Sequence, residues 1–345
     1  MVDSSQPPLR DVVAVARESV RPAPSRVRRA ASVARVVIPL ALLSYLFTRV
    51  SLSQLLTAMR SVSVATLCWV ALAMVSATSI ASVRWGLTMR ACGVTKPAPF
   101  RQLFRLFWIG IFYNAFVPGG LGGDVVRAVA TRPLFSARGV SGALAVVVLD
   151  RVLGLIGLLL LVVGSFTLFP LPAVPNVMFF SFLGLLAAFG AIAGLMLAPR
   201  LAPHLPGPLG RIAASLPVVE RRWPLLLGVL LSVLTQASGV VVGHLVLSSI
   251  TTQATVTESA VIMPLVLASQ YFPLTVGGTG VREAAFVALY GLAGVAQHDA
   301  LAASLVVGMV QYAAGLPGGV LQMFWPLRVD AAELAEQPGQ PAQPV

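Results

Sequence analysis

The chain has 345 residues, 57% of them hydrophobic and only 10% charged, with a mean hydropathy of +0.88. Soluble domains carry roughly 25% charged residues, so this composition excludes an ordinary soluble protein and points to an integral membrane one. The net charge of +12 does not read as a nucleic-acid surface, because the arginines stand in the loops between apolar runs, where they orient the chain and meet anionic headgroups.

Residues 1–31 are polar, Pro-containing and Arg-rich, and read as a disordered basic cytoplasmic arm. They place the first apolar run too far from the start for a cleaved signal peptide, so that run is taken as a span. Apolar segments follow at 33–48, 64–83, 103–117, 140–169, 177–198, 223–250, 259–274, 284–296 and 300–326. The longer ones suffice to cross a hydrocarbon core of about 30 Å.

Basic residues set the orientation. The arm is rich in arginine, the next loop has only Arg49 and Arg60, and the loop after the second span carries Arg84, Arg90, Lys96, Arg101 and Arg105. Both termini are therefore expected in the cytoplasm, with the chain in the cell (plasma or inner) membrane as a multi-pass protein. Carrying the count forward puts Arg132, Arg138, Arg200, Arg211, Arg221, Arg222 and Arg328 inside, and Gln297, His298 and Asp299 in an outer loop.

This count works only if two segments enter the membrane and return. The expected fold is an all-α integral membrane protein of about six full spans plus two re-entrant, broken-helix hairpins. Residues 33–169 and 177–326 then repeat one order of elements in opposite orientation, an inverted-topology repeat. The domain organisation expected is one transmembrane domain at 32–326, followed by a disordered cytoplasmic tail at 327–345.

The breaks are the glycine runs Pro118-Gly119-Gly120-Leu121-Gly122-Gly123-Asp124 and Thr275-Val276-Gly277-Gly278-Thr279-Gly280. Glycine runs at bilayer depth free backbone groups that lipid cannot satisfy, so they belong where they are buried or line a polar cavity. Pro118 and Pro273 help to end the preceding half-helices. Each break starts a new helix, whose N-terminus carries unpaired N–H groups and about half a positive charge.

Of the 12 acidic residues, Asp124, Asp150 and Glu283 stand in deeply apolar surroundings, each within three positions of Arg127, Arg151 or Arg282. A charge at that depth costs several kcal/mol and normally pairs or faces a cavity. Asp124 and Arg127, at i and i+3, share a helix face. Asp150 and Arg151 are adjacent, about 100° apart on a helix, and are expected to find different partners; Arg282 and Glu283 pose the same case. The reading is one cross-paired network beside an anion-binding pocket. Its candidate substrate-binding residues are Asn114, Gly119, Gly120, Gly122, Gly123, Asp124, Arg127, Asp150, Arg151, Gly277, Gly278, Gly280, Arg282 and Glu283. Gln236, Gln270, Tyr271 and Gln311 are further lining candidates, although an inter-helix hydrogen bond is the plainer role for each, as it is for Asn114. Cys68 and Cys92 form no framework, His204, His244 and His298 are scattered, and no metal or cofactor is expected.

The stretches Asn114 to Arg127, Val148-Leu149-Asp150-Arg151-Val152-Leu153-Gly154 and Phe272-Pro273 to Glu283 resemble the transmembrane (flippase) domain family of lysylphosphatidylglycerol synthases. That likeness covers about residues 30–326. It implies movement of a lipid, or a lipid-linked head group, between leaflets. Bifunctional members add a soluble aminoacyltransferase domain. This chain ends soon after its last span, so lysyl transfer is not expected of it, and it resembles stand-alone members tied to glycolipid, hopanoid or polyprenyl-linked pathways. The expected partner is a membrane lipid with an anionic or phosphate-linked head group, together with a glycosyltransferase or lipid-synthesis partner; no nucleic acid is expected, and the oligomeric state is left open. Two alternatives stand beside this non-enzymatic reading. One is a membrane transferase using a lipid-linked substrate, for which no DxxD, DxD or nucleophile arrangement is present. The other is a non-transporting partner of a glycosyltransferase complex.

Overall fold

The computed structural model describes residues 44, 48, 51–116, 122–135, 139–169, 177–207, 210, 218–270 and 280–325. Among them the chain is all-helical, with no strand. In order the α-helices are α1 (Leu52–Arg60), α2 (Val64–Ala91), α3 (Phe100–Phe116), α4 (Gly122–Thr131), α5 (Gly139–Leu168), α6 (Val177–Leu201), α7 (Arg222–Ile250), α8 (Val256–Ser269), α9 (Val281–Leu292) and α10 (Gln297–Phe324). Four of the described helices, α2, α5, α7 and α10, are long and apolar enough to cross a membrane.

Local chemistry sets the helix ends. Ser51 and Ser63 cap α1 and α2 through their side chains, and Thr255 with Glu258 forms a reciprocal capping box on α8. Gly280 takes φ 86°, open to glycine at little cost, at the start of α9, and its N–H donates to the Glu283 carboxylate.

The helices pack closely where glycines permit. α2 lies along α7, α5 along α7 and α6, and α3 along α10. A Cβ on Gly123 would fall on the Gly110 carbonyl group, and one on Gly318 would fall on that of Trp108. With lipid as apolar as leucine, such backbone approach is what packs membrane helices together. The largest buried cluster joins Val70, Val246, Met263, Phe286, Tyr290 and Val307, on α2, α7, α8, α9 and α10.

Two ends of the bundle can be told apart. At one, Glu220 and Arg221 donate their N–H groups to the Ala91 carbonyl, and Met89, Val94, Leu103 and Ala128 share a cluster. At the other, the Ala296 N–H meets the Gln253 side chain, and Leu55 and Ala58 of α1 pack on Leu301 and Ala302.

Several boundaries differ from the sequence reading. The second span does not stop at 83 but runs to Ala91, so Arg84 is a helical residue and not part of the basic loop. Gln297, His298 and Asp299 form the first turn of α10 rather than an outer loop. The 52–60 segment, read as loop, is the helix α1, whose Leu55 and Ala58 face α10. The glycines at 119, 120, 277 and 278, and Tyr271, lie outside the described residues.

Candidate functional site

Two buried charge clusters occupy the places where the short helices begin. The first starts on α4, where Asp124 stands in the first turn and Arg127 one turn later. Arg127 Nη2 donates to Asp124 Oδ1 at 2.5 Å, and its Nη1 approaches Asp150 Oδ2 on α5 at 3.5 Å. Arg84 on α2 grips Asp150 with two donors, Nε to Oδ1 at 2.9 Å and Nη2 to Oδ2 at 3.1 Å, and gives a third bond to Ser232 on α7 at 3.1 Å. Arg151 Nε bonds to the second oxygen of Asp124. Asp150 and Arg151, adjacent in sequence, thus face different partners, as helix geometry requires.

Arg84, Asp124, Arg127 and Asp150 are all buried, whereas the Arg151 side chain is 45% exposed. The Arg127 guanidinium also lies over Phe107 and Trp85, 4.5 and 5.1 Å from the ring centroids. Aromatic faces attract a desolvated cation, so this arginine is held from both sides. Bidentate Arg–carboxylate geometry is the strong form of ion pair, and α2, α4, α5 and α7 meet in it. What this cluster does chemically is to lock four helices around one charge set.

Asn114 fastens the same break: its Oδ1 accepts the Gly123 N–H at 2.8 Å, the inter-helix bond of the plainer reading. Gln236 likewise donates to the Gly154 carbonyl at 3.0 Å.

The second cluster is built on α9. Arg282 and Glu283 do not find different partners, as the adjacent-residue argument required of them; they bond to each other, with Arg282 Nε 3.1 Å from Glu283 Oε1 and Nη2 on the same oxygen. Extended side chains curl across the 100° between neighbours when both are enclosed by the protein, and here Arg282 is 3% and Glu283 0% exposed. Arg282 Nη1 reaches Gln311 on α10 at 2.8 Å. Among the described residues, Arg282 and Glu283 therefore form a set of their own on α9, rather than joining Asp124, Arg127, Asp150 and Arg151 in the single network expected.

Arg282 opens onto a cavity of about 170 Å³ between α2, α7, α8, α9 and α10. Its polar lining is Thr78, Thr235, Ser238, Gln270, Arg282 and Gln311, set in walls of methionine, valine and phenylalanine side chains. The hydroxyls of Thr78, Thr235 and Ser238 donate back to Met74, Leu231 and Leu234 on their own helices. The donors left to face a guest come from the guanidinium and the two amides, a set suited to an anion.

Sequence reasoning missed Arg84, although a signal was there: between Val83 and Gly93 the one glycine, Gly86, is isolated among Trp85, Leu87 and Met89, and an isolated glycine does not end a helix.

With this geometry in view, comparison with known families is decisive. The family model described as "Lysylphosphatidylglycerol synthase TM region" matches residues 32–319. The chain belongs to this family. The match spans both charge clusters and all ten described helices up to the last turn of α10. No curated protein sequence matches closely enough to be counted a relative. Membership in the lysylphosphatidylglycerol synthase TM family links the chain to the membrane and to lipid-related function.

Proposed function

We propose that this protein moves an anionic lipid, or a lipid-linked anionic head group, between the leaflets without covalent chemistry on it. The observation that carries the reading is Arg282. A guanidinium has five N–H donors; Glu283 and Gln311 take three of them, and Arg282 lines the cavity of about 170 Å³. Glu283 fixes the guanidinium in place and also receives the Gly280 N–H, which ties the charge to the helix start beside the second break.

An inverted repeat supports alternating exposure of that cavity. Helices α2, α3, α4 and α5 have 28, 17, 10 and 30 residues, and α7, α8, α9 and α10 have 29, 14, 12 and 28 in the same order. The short pairs are hairpins in this reading. At 1.5 Å per residue α4 and α9 are only about 15–18 Å long, too short for a core of about 30 Å. The start of α3 and the end of α4 belong to the bundle end marked by Met89 and Val94, while α8 begins and α9 finishes at the end marked by Gln253 and Ala296. One hairpin entering from each side is the arrangement by which inverted-repeat transporters rock one repeat against the other. The first cluster, saturated by its own ion pairs, is the anchor of that motion, and Arg282 is the headgroup contact.

Purified protein in proteoliposomes, with a fluorescent anionic lipid and a membrane-impermeant quencher, tests this. Wild type should expose inner-leaflet probe well above the rate of protein-free vesicles, and Arg282→Ala should slow an anionic probe more than a zwitterionic one. Transport at the protein-free rate by wild type, for lipids and lipid-linked sugars alike, would leave the non-transporting partner role instead.

A further inference from the structure

A second cavity, of about 470 Å³, lies between the first turns of α3 and the end of α10. Arg101, Gln102, Phe104 and Arg105 line it from α3, and Leu321 and Trp325 from the α10 side. Its volume is that of a small-molecule pocket, and it is well separated in sequence and in lining from the Arg282 cavity.

Three features give it a chemical identity. Two arginines face it and no acidic residue appears in its described lining. Arg105 Nη2 donates to the Trp325 carbonyl, yet its buried Nε has no hydrogen-bond partner among the described residues. A buried donor on a cation is costly to leave unmade, so this one calls for an acceptor. Finally, the walls are Phe104, Leu321 and Trp325, aromatic and apolar groups of the kind found where headgroups meet acyl chains.

Depth agrees. Arg105 precedes Asn114, which fastens the first break, by nine residues of α3, about 14 Å along the axis. Half a hydrocarbon core is about 15 Å, so with the break near the midplane the pocket stands at headgroup level.

We propose that this pocket binds the phosphate of an anionic membrane lipid at the membrane surface, with Arg101 and Arg105 on the phosphate and Phe104, Leu321 and Trp325 along the upper acyl chain. Binding here stands independently of transport; only the lipid's onward passage to the Arg282 cavity rests on the reading above.

The experiment measures lipid retained by the full-length protein, extracted from vesicles of equal phosphatidylglycerol and phosphatidylcholine, by native mass spectrometry. Wild type should retain phosphatidylglycerol in preference to phosphatidylcholine. Arg101→Gln/Arg105→Gln should lower that retention about fivefold or more. Arg90→Gln/Lys96→Gln removes the same charge from two exposed positions nearby and should leave it unchanged. Equal losses in both double variants would reduce the effect to general surface charge and overturn the site, as would no loss in the first. A photoactivatable phosphatidylglycerol on wild-type protein adds a readout that needs no variant to fold. Crosslinks should fall on peptides containing Phe104 and Trp325, and crosslinks confined to other segments would overturn the proposal. Retention without transport would sink the transport reading and leave this pocket standing.

Discussion

Gly308 on α10 gives up its side chain to the Arg282 guanidinium. A Cβ built on Gly308 would fall on Nη2 and stand 2.9 Å from Cζ. The guanidinium cannot simply swing aside, because Glu283 and Gln311 hold it. A glycine in the middle of a spanning helix is therefore part of how an arginine on another helix is aimed.

The consequence is measurable at Gly308→Ala. One methyl group should displace Arg282 from Gln311 while leaving the fold assembled. A hydrogen bond to a charged group is worth about 1.5–3 kcal/mol. Transport of an anionic probe in proteoliposomes should fall about tenfold or more, with the zwitterionic background unchanged. An unchanged anionic rate would show that the guanidinium position does not matter to the lipid.

Asp150 is the hub of the first cluster, taking two bonds from Arg84 and one from Arg127 with 2% of its surface exposed. Asp150→Asn leaves two buried guanidinium groups short of charge. Breaking a buried pair from one side costs about 3–5 kcal/mol. The variant should melt far below wild type in detergent or fail to accumulate, whereas Glu333→Gln in the tail should melt with wild type. Arg84→Met should be as harmful as Asp150→Asn, and combining Arg84→Met with Asp150→Leu should recover part of the loss. Full stability of either single variant would mean the cluster does not lock the helices.

Much of this was legible in the chain. Hydropathy and the glycine breaks gave the all-helical membrane fold, and buried acids beside arginines marked Asp124, Arg127, Asp150 and Arg151 as a set. What escaped has physical causes. Arg84 reads as one more loop arginine where charge is taken to end a helix, whereas the side chains around it continue that helix to Ala91. The Arg282–Glu283 pair has no signal in helix-wheel angles, which give Cβ directions and not the reach of an arginine. That Arg282 faces a cavity, and that Gly308 makes room for it, depends on three-dimensional packing with no local signature. Helix α1 is too short to register as a span, and its apolar stripe at Leu55 and Ala58 shows only against α10.

Glycine substitutions should separate packing glycines from idle ones. Gly318 lies against the Trp108 backbone, and Gly157 against Ser232 and Val233, so Gly318→Ala and Gly157→Ala must push helices apart. Backbone cannot yield as a side-chain tip can, and overpacking costs about 1–3 kcal/mol. Gly164 has nothing within 4 Å of where a Cβ would stand. Gly164→Ala should be neutral or raise stability by about 0.5–1 kcal/mol, through lower backbone entropy in the unfolded chain. Thermal melts in one detergent compare all three. Equal melting of Gly318→Ala and Gly164→Ala would contradict the close approach of α3 and α10.

The two bundle ends make the orientation testable. Lys96 and Arg221 lie at the end where the Arg221 N–H meets Ala91, and Thr252 and Gln297 flank the contact between Gln253 and Ala296 at the other. If basic residues remain inside, Lys96→Cys and Arg221→Cys should react with a membrane-impermeant maleimide only after the cytoplasmic face is opened. Thr252→Cys and Gln297→Cys should react in intact cells. Cys68 is exposed and Cys92 partly so, and both must first be replaced by alanine. Adding Phe135→Cys tests whether α3 and α4 together return to the side on which they start. Leu134 and Phe135 pack against the cluster containing Trp85, Met89 and Val94, so position 135 should label with Lys96. Labelling of 135 together with 252 would mean that this pair crosses the membrane, and the inverted repeat would fall with the hairpin.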